Sequence, residues 1–459
     1  MKLSNLKQKL EKNNEKFNET KIRKLYLDKK KAKKILKKNY DLDKIKIIGI
    51  TGSCGKSTVA YVLHHYLKEL GYKSVLYSSV MVDSPATYKN RDESIEVSIS
   101  SADDLYEIIK ELEYYEPEFL ILEVNDSAIH KGLVDEIPFD VRVLTNLNPR
   151  HNLEQFTEAE YVDIKKSFFR NVDEKCKCVI GLQDYDKKLF DEFMVLNNCE
   201  TFTFTTNYIA NMKGVDPKLF TALLNELKID KNGLNMKFNL NTETHSLESN
   251  MMMNYNALNL LCVITILNAL GLYNNQYFQK IVRNMVIPGR SEVIKINQRF
   301  IIIDPHLPNV LENLDNLKKD GVINHIRVVI GSMGYGFRNW EERFNSGKHY
   351  QLKSESRKFA MSLLNAYADT VYLTENDNAT ENVLDICNEL KSYLRDTMRS
   401  VIITDREKAI EQALIESEIG DVIFISGRGN RRIFCNSEDT MKLFKDREVV
   451  EKVMKKLGW

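Results

Sequence analysis

The stretch "KIIGITGSCGKSTVAYVL" (residues 46–63) decides the fold of the segment around it. An apolar run ending at Ile50 meets Thr51, Gly52 and Gly55, and Lys56, Ser57 and Thr58 then open a segment with helical periodicity. Glycines there let backbone N–H groups turn inward around phosphates, and the helix N-terminus adds positive potential. A lysine in that place neutralises the β- and γ-phosphates, and the serine hydroxyl suits Mg²⁺. The spacing departs from the usual G-x-x-x-x-G-K because Ile50 stands where the first glycine would be. ATP binding is the expectation, with Thr51, Gly52, Gly55, Lys56, Ser57 and Thr58 around the phosphates.

Outward from this turn the chain alternates strand-like and helix-like segments. "KIIGI" (46–50), "SVLYS" (74–78), "FLILEV" (119–124), "VRVLTN" (141–146) and "CVIGL" (178–182) read as buried strands, with helical stretches such as "SADDLYEIIKELEYY" between them. That succession predicts βαβ units around a mostly parallel sheet. A second series, "RFIIID", "IRVVIG", "DTVYLT", "SVIITD" and "DVIFISG", begins near residue 299. Between the two series, "NYNALNLLCVITILNALGL" (254–272) reads as a helix and "VIPGRSE" (286–292) as a hinge punctuated by Pro288 and Gly289. The expected fold class is α/β. A P-loop-type parallel-sheet ATPase domain (45–288) is followed by a Rossmann-like domain (289–459), and a basic helical segment (1–44) precedes both.

Composition narrows the class. The 459 residues are 29% charged and 43% hydrophobic, as in globular proteins, and no apolar run reaches the roughly 18–20 residues of a membrane span. The first residues lack the apolar core of a secretory signal. Seven cysteines (54, 176, 178, 199, 262, 387 and 435) without a C-x-x-C pair argue against a disulfide framework or a zinc ribbon. A cytoplasmic protein is expected. The net charge of +1 hides an asymmetry: residues 1–46 hold 17 Lys/Arg against 6 Asp/Glu, so they carry +11 and the remainder −10. Leu3, Leu6, Leu10, Phe17, Leu25, Ile35 and Leu36 recur in that stretch at loosely helical spacing, predicting an amphipathic helix packed on the first domain. The alternative is an anion-binding patch. No aromatic interleaving accompanies the charge, so no nucleic-acid partner is expected.

With "GITGSCGKST" as the anchor, the sequence resembles the Mur ligases, most closely the MurE type. "LILEVNDSA", "VLTNLNPRHNLEQF", "EYVDIKKSFF", "NYNALN", "IPGRSE", "IIIDPHLPNVLENL", "DNATEN" and "GDVIFISGRGNRR" follow the family's motif order across nearly the whole chain after residue 45. The resemblance implies ATP-driven amide formation, in which a substrate carboxylate takes the γ-phosphate and an amine then displaces phosphate from the acyl phosphate. It implies ATP, two Mg²⁺ ions and a carbamoylated lysine as cofactors, with small carboxylate and amino-acid substrates as partners. A monomer is the expected state.

By the same resemblance Glu123 matches the metal-binding glutamate, His151 the metal-site histidine, and Lys165 the carbamoylated lysine, with Lys166 adjacent. Metal ligands would be Ser57, Glu123, His151 and Lys165; catalytic groups Lys56, Lys165, His151 and Asn146. Asn256 and Asn259 match the adenine side, Arg290 a hinge arginine near the phosphates and Asp304 the ribose aspartate; His306 is a further active-site candidate.

Departures bear on the substrates. Ala379 and Thr380 stand where diaminopimelate-adding enzymes have Pro-Arg, and Asn430 and Arg431 where they have His-Glu. Arg150 and Ser127 also depart. The amino-acid site is expected to involve Asn378, Arg428 and Arg431, whose guanidinium forks suit carboxylates. The alternative for these arginines, Arg432 included, is solvated surface charge. Only 48 residues precede Gly49, too few for the family's uridine-nucleotide-binding domain. Envelope-precursor peptide synthesis is the leading expectation. Poly-γ-glutamate-type, folylpolyglutamate-like or archaeal pseudomurein ligases, and a non-catalytic ATP-binding homologue, are the alternatives.

Overall fold

The computed structural model describes residues 27–36, 42–84, 99, 101–148, 156–170, 172–334, 348–378, 381–431, 433–435 and 441–459. The first sheet contains β1 (Lys46–Thr51), β2 (Ser74–Tyr77), β3 (Val82–Asp83), β4 (Phe119–Glu123), β5 (Val141–Leu144), β6 (Lys177–Gly181), β7 (Thr201–Thr206), β8 (Ala222–Asp230), β9 (Gly233–Leu240) and β10 (Glu243–Ser249). Their order is β10-β9-β8-β7-β6-β5-β1-β4-β2-β3. From β2 through β8 neighbouring strands run parallel; β3, β9 and β10 are antiparallel additions. β1 lies between β4 and β5, so the chain leaves it in opposite directions, and the loop after it opens at the crevice where ligands collect in such sheets.

The antiparallel flank β8–β10 is absent from the reading of apolar runs. Its strands alternate buried and exposed residues, and it turns at Lys231–Asn232 and Asn241–Thr242, with Asn241 at φ 53°. One face covers the core and the other meets solvent, so hydrophobicity alone under-reports it. Beyond β10 the edge is closed by the helix Asn275–Val282. Gln279 Oε1 accepts from the Glu248 N–H at 2.8 Å, and Gln279 Nε2 donates to the Glu248 carbonyl at 2.9 Å.

The helix Asn254–Leu270 lies across this sheet and ends at Gly271 in the left-handed conformation. Twelve of its 17 residues are buried, which is why its sequence is apolar on every side instead of striped. The helix Lys56–Glu69 packs beside it on the same face.

The second sheet contains β11 (Glu292–Ile296), β12 (Arg299–Asp304), β13 (Ile326–Ile330), β14 (Thr370–Leu373), β15 (Arg399–Ile402) and β16 (Val422–Ser426), ordered β11-β12-β16-β13-β14-β15. Only β11 is antiparallel. The C-terminal ends of the two sheets face each other: Asn309 Nδ2 lies 3.9 Å from Cys54 Sγ, and Asn430 Nδ2 donates to the Val80 carbonyl at 3.0 Å.

Of the basic leading segment, residues 27–36 are helical. Ala32, Ile35 and Leu36 join the core cluster that contains Ile47, while Lys29, Lys31 and Lys33 pair with Asp135, Asp103 and Glu136. For these residues the amphipathic reading holds. Leu3, Leu6, Leu10, Phe17 and Leu25 lie outside the described residues. Among the described residues no helix is long and apolar enough to cross a membrane.

Candidate active site

The loop Gly52–Gly55 is shaped by close approach. Gly55 has φ 80°, and a Cβ on it would lie 2.3 Å from Asn259 Oδ1; one on Gly52 would lie 2.0 Å from Thr145 Oγ1. Asn146 holds the same loop, its Oδ1 accepting from the Cys54 N–H at 2.9 Å and its Nδ2 donating to the Cys54 carbonyl at 3.1 Å. Asn146 thus acts here on the loop backbone. Lys56 Nζ donates to the Gly52 and Ser53 carbonyls at 3.0 and 3.3 Å, folded back over the cradle. Thr58 is buried in the first helical turn.

Three side chains meet at the Ser79 hydroxyl. Ser79 Oγ lies 2.8 Å from Ser57 Oγ, donates to Glu123 Oε2 at 3.1 Å and accepts from Arg290 Nη2 at 3.1 Å. The Ser79 N–H donates to the same carboxylate oxygen at 2.9 Å. β2 is the neighbour of β4, which brings the residues following β2 against Glu123 at the end of β4.

Lys165 is fully buried. It forms an ion pair with Asp126 and donates to Thr51 Oγ1 at 2.9 Å, with its ammonium 5.3 Å from the centre of the Tyr161 ring one helical turn earlier. Burial lowers its pKa to about 8; Asp126 opposes the fall and Lys56 adds to it. Lys166 points away, to Glu192. The helix carrying both, Glu158–Ser167, starts with a Thr157/Glu160 capping box, and the Tyr161 hydroxyl reaches Ser53 Oγ at 2.9 Å.

Asn256 and Asn259 are buried in the helix Asn254–Leu270, and Asn259 Nδ2 donates to Asn256 Oδ1 at 3.2 Å. Asp304 serves the hinge: Oδ2 accepts from Ser291 N–H at 2.6 Å and Oγ–H at 3.0 Å, and Oδ1 accepts from the His306 N–H at 2.7 Å. Burial raises its pKa against these bonds. His306 precedes the helix Leu307–Lys319 as its N-terminal cap position.

On the facing loops, Asn378 Nδ2 donates to the Glu381 carbonyl at 2.8 Å. Arg428 is buried and donates to Asp377 Oδ1 at 2.7 Å; Arg431 Nη1 lies 3.7 Å from Asp377 Oδ2. Arg428 is not solvated surface charge, because a buried guanidinium needs an internal counter-charge and Asp377 supplies it. His151, Arg150, Ala379, Thr380 and Arg432 lie outside the described residues. Sequence reasoning missed Ser79, Asp126 and Asp377. For Asp126 a signal existed, three residues beyond Glu123 at the same strand end.

Residues 50–267 match the Mur ligase middle domain, and residues 289–429 match the Mur ligase glutamate ligase domain. The UDP-N-acetylmuramoyl-L-alanyl-D-glutamate–2,6-diaminopimelate ligase of Buchnera aphidicola is 25% identical over 436 residues, 94% of this chain and 80% of that protein. The ligase of the same name from Clostridium perfringens is 28% identical over 444 residues, 93% of this chain and 82% of that protein. Among solved structures, a bifunctional folylpolyglutamate synthase/dihydrofolate synthase with Mn, AMPPNP and L-glutamate bound shares the fold. Its TM-score is 0.59 at 16% identity, covering 94% of each chain. With both domain types matched in order on the two facing sheets, the chain belongs to the Mur ligase family.

Proposed function

We propose that this chain is an ATP-dependent ligase that joins a substrate carboxylate to the amine of an amino acid, releasing ADP and phosphate. The convergence of Ser57, Glu123 and Arg290 on Ser79, beside the Lys56 cradle, is the observation that carries the reading. A carboxylate is a poor electrophile at neutral pH, and phosphorylation gives it a leaving group. The protein then has mainly to position groups and to spread the charge of the transferred phosphoryl.

In this reading Lys56 exchanges the Gly52 and Ser53 carbonyls for β- and γ-phosphate oxygens. Arg290 stands on the far side of the same group, supplied by the hinge. Asn256 and Asn259 serve the adenine side. Among the described residues no cluster of three His, Cys, Asp or Glu could hold a metal ion. The Ser57 and Ser79 hydroxyls and the Glu123 carboxylate are hard oxygen donors that would hold Mg²⁺, which would supply charge neutralisation at the phosphates.

Lys165 is suited to carbamoylation. With a pKa near 8, about a tenth of it is neutral at pH 7, against less than about one part in a thousand for an ordinary lysine. The neutral amine adds to CO₂, loses a proton to solvent and becomes an oxygen ligand in place of a cation.

Synthesis of an envelope-precursor peptide is the preferred setting, since the curated relatives bear such names. A folylpolyglutamate-like reaction is the second reading, favoured by the match over 94% of each chain. The test is ADP release with Mg²⁺ and bicarbonate across carboxylate acceptors crossed with amino acids. The acceptors include uridine-linked muramyl peptides, γ-glutamyl peptides and folates. Release that requires one acceptor and one amine together is expected, and it disappears in Lys56→Ala. Turnover retained in that variant sinks the mechanism.

A further inference from the structure

The turn that carries Ser79, residues 78–81, joins β2 to β3. β2 is pinned along its other side by β4. The two residues of β3 pair with Leu76 and Tyr77, and among the described residues β3 is the last strand of the sheet. Backbone pairing of that length fixes little by itself. The Asp83 carboxylate adds the hold that the strand lacks. Its Oδ2 accepts from His64 Nε2 at 2.9 Å and from Lys68 Nζ at 2.8 Å, and His64 Nδ1 lies 2.9 Å from Ser74 Oγ. Burial lowers the pKa of the fully buried His64. Burial would raise that of Asp83, but the bonds from His64 and Lys68 hold its carboxyl down at about 2. A carboxylate only accepts, so Nε2 carries the proton and Nδ1 of the neutral ring accepts from Ser74. The imidazole thereby ties the first residue of β2 to the last of β3. Glu111 accepts from the Ser84 hydroxyl at 2.7 Å and from the Tyr77 hydroxyl, and Asn430 donates to the Val80 carbonyl. Both of these ties come from elements that carry no phosphate-loop residue.

The tie through His64 is different, because His64 shares the helix Lys56–Glu69 with Ser57. Seven residues are two turns, so the two side chains lie on one face about 10 Å apart along the axis, and Lys68 follows one turn later. A single helix therefore grips the hairpin at two points: Ser57 at the Ser79 hydroxyl, His64 and Lys68 at Asp83. Resting on the ligase reading above, we propose that His64 and Asp83 are positioning residues for the nucleotide–cation site. They set the hairpin against the helix so that the Ser79 hydroxyl stays within reach of Ser57 and Glu123. Neither is among the groups that meet at Ser79; they act through it. Without the tie the hydroxyl samples more positions, and the entropy of fixing it falls on cation uptake. The Lys56 cradle does not depend on the hairpin, so nucleotide binding without metal is spared.

The test is calorimetric binding of AMPPNP to the full chain, once with Mg²⁺ and once with EDTA. His64→Leu and Asp83→Ala should each weaken binding about ten-fold with Mg²⁺ and less than about two-fold in EDTA. His64→Gln, whose side-chain amide donates where Nε2 did, should stay within about three-fold of wild type under both conditions. On a Ser79→Ala background, His64→Leu should weaken Mg²⁺-dependent binding by less than about a further two-fold, since the hydroxyl it acts through is gone. Losses that instead add in full overturn the proposal. Equal weakening with and without Mg²⁺, as a general loss of structure gives, overturns it too. So do wild-type values in both His64→Leu and Asp83→Ala, or a wild-type affinity indifferent to Mg²⁺. Should His64→Leu fail to fold, Asp83→Ala on the edge strand carries the same reading. Mg²⁺-dependent AMPPNP binding that the variants share with wild type removes only the positioning role, whereas a wild-type chain that binds no AMPPNP removes the ligase reading and this one with it.

Discussion

Of the buried cation–carboxylate pairs among the described residues, two do opposite things. Lys165 with Asp126 sits under the phosphate loop; Arg406 with Asp446 sits behind the loop that follows β16. Both cations are fully buried. Arg406 binds both carboxylate oxygens at 2.7 and 2.9 Å and gives a further hydrogen bond to the Ser426 carbonyl at 2.9 Å. Its charge is permanent and its donors are satisfied, so it fastens the C-terminal helix Asp446–Leu457 to the end of β16. Lys165 has a proton it can lose, and burial presses it to do so. The same pairing of charges is a fastener in one place and, in the proposed reaction, a latent nucleophile in the other. What separates them is whether the cation can be neutralised.

The largest expected effect breaks the reactive pair: Lys165→Ala should lower ligase turnover by about a thousand-fold or more, read as ADP release. Turnover near wild type would make Lys165 a fastener too. Next, Arg406→Met strands Asp446 and should cost about 3–5 kcal/mol in urea unfolding, while Arg406→Met with Asp446→Leu recovers most of the loss. Somewhat smaller is a titration effect. The folded state holds fewer protons on Lys165 than the unfolded chain does between about pH 8 and its ordinary value of 10.5. Stability in CO₂-free buffer should therefore rise with pH across that window, by up to about 3 kcal/mol, and the rise should vanish in Lys165→Met. The smallest effect belongs to exposed pairs: Lys29→Ala and Lys33→Ala should each change stability by less than about 0.5 kcal/mol, because water already solvates both partners.

How far the sequence speaks follows from what each feature depends on. β1, β2, β4 to β6, β12 to β14 and β16 are legible because strands buried on both faces read as unbroken apolar runs, and the partly buried edge strand β15 is legible from its run Val401–Ile403. The phosphate loop is legible because its glycines, lysine and serine are contiguous. Ser79 is not, because its place depends on β2 lying beside β4, with Leu76 opposite Ile121 and Tyr77 opposite Leu122. The partner of Arg428 is hidden for a similar reason: Asp377 is 51 residues away and arrives through the order β16-β13-β14. Charges announce themselves in a sequence, but their counter-charges are a matter of topology.

Gln279 has a consequence for solubility. Its side-chain amide engages both backbone groups of Glu248, as a further strand would, at the outer edge of a ten-stranded sheet. An open edge of that kind invites pairing with the edge of another molecule. One glutamine, held by a short helix, denies an incoming strand its hydrogen bonds at that point. This side chain, remote from the phosphate loop, therefore helps set how concentrated the protein can become before its copies begin to assemble into sheets.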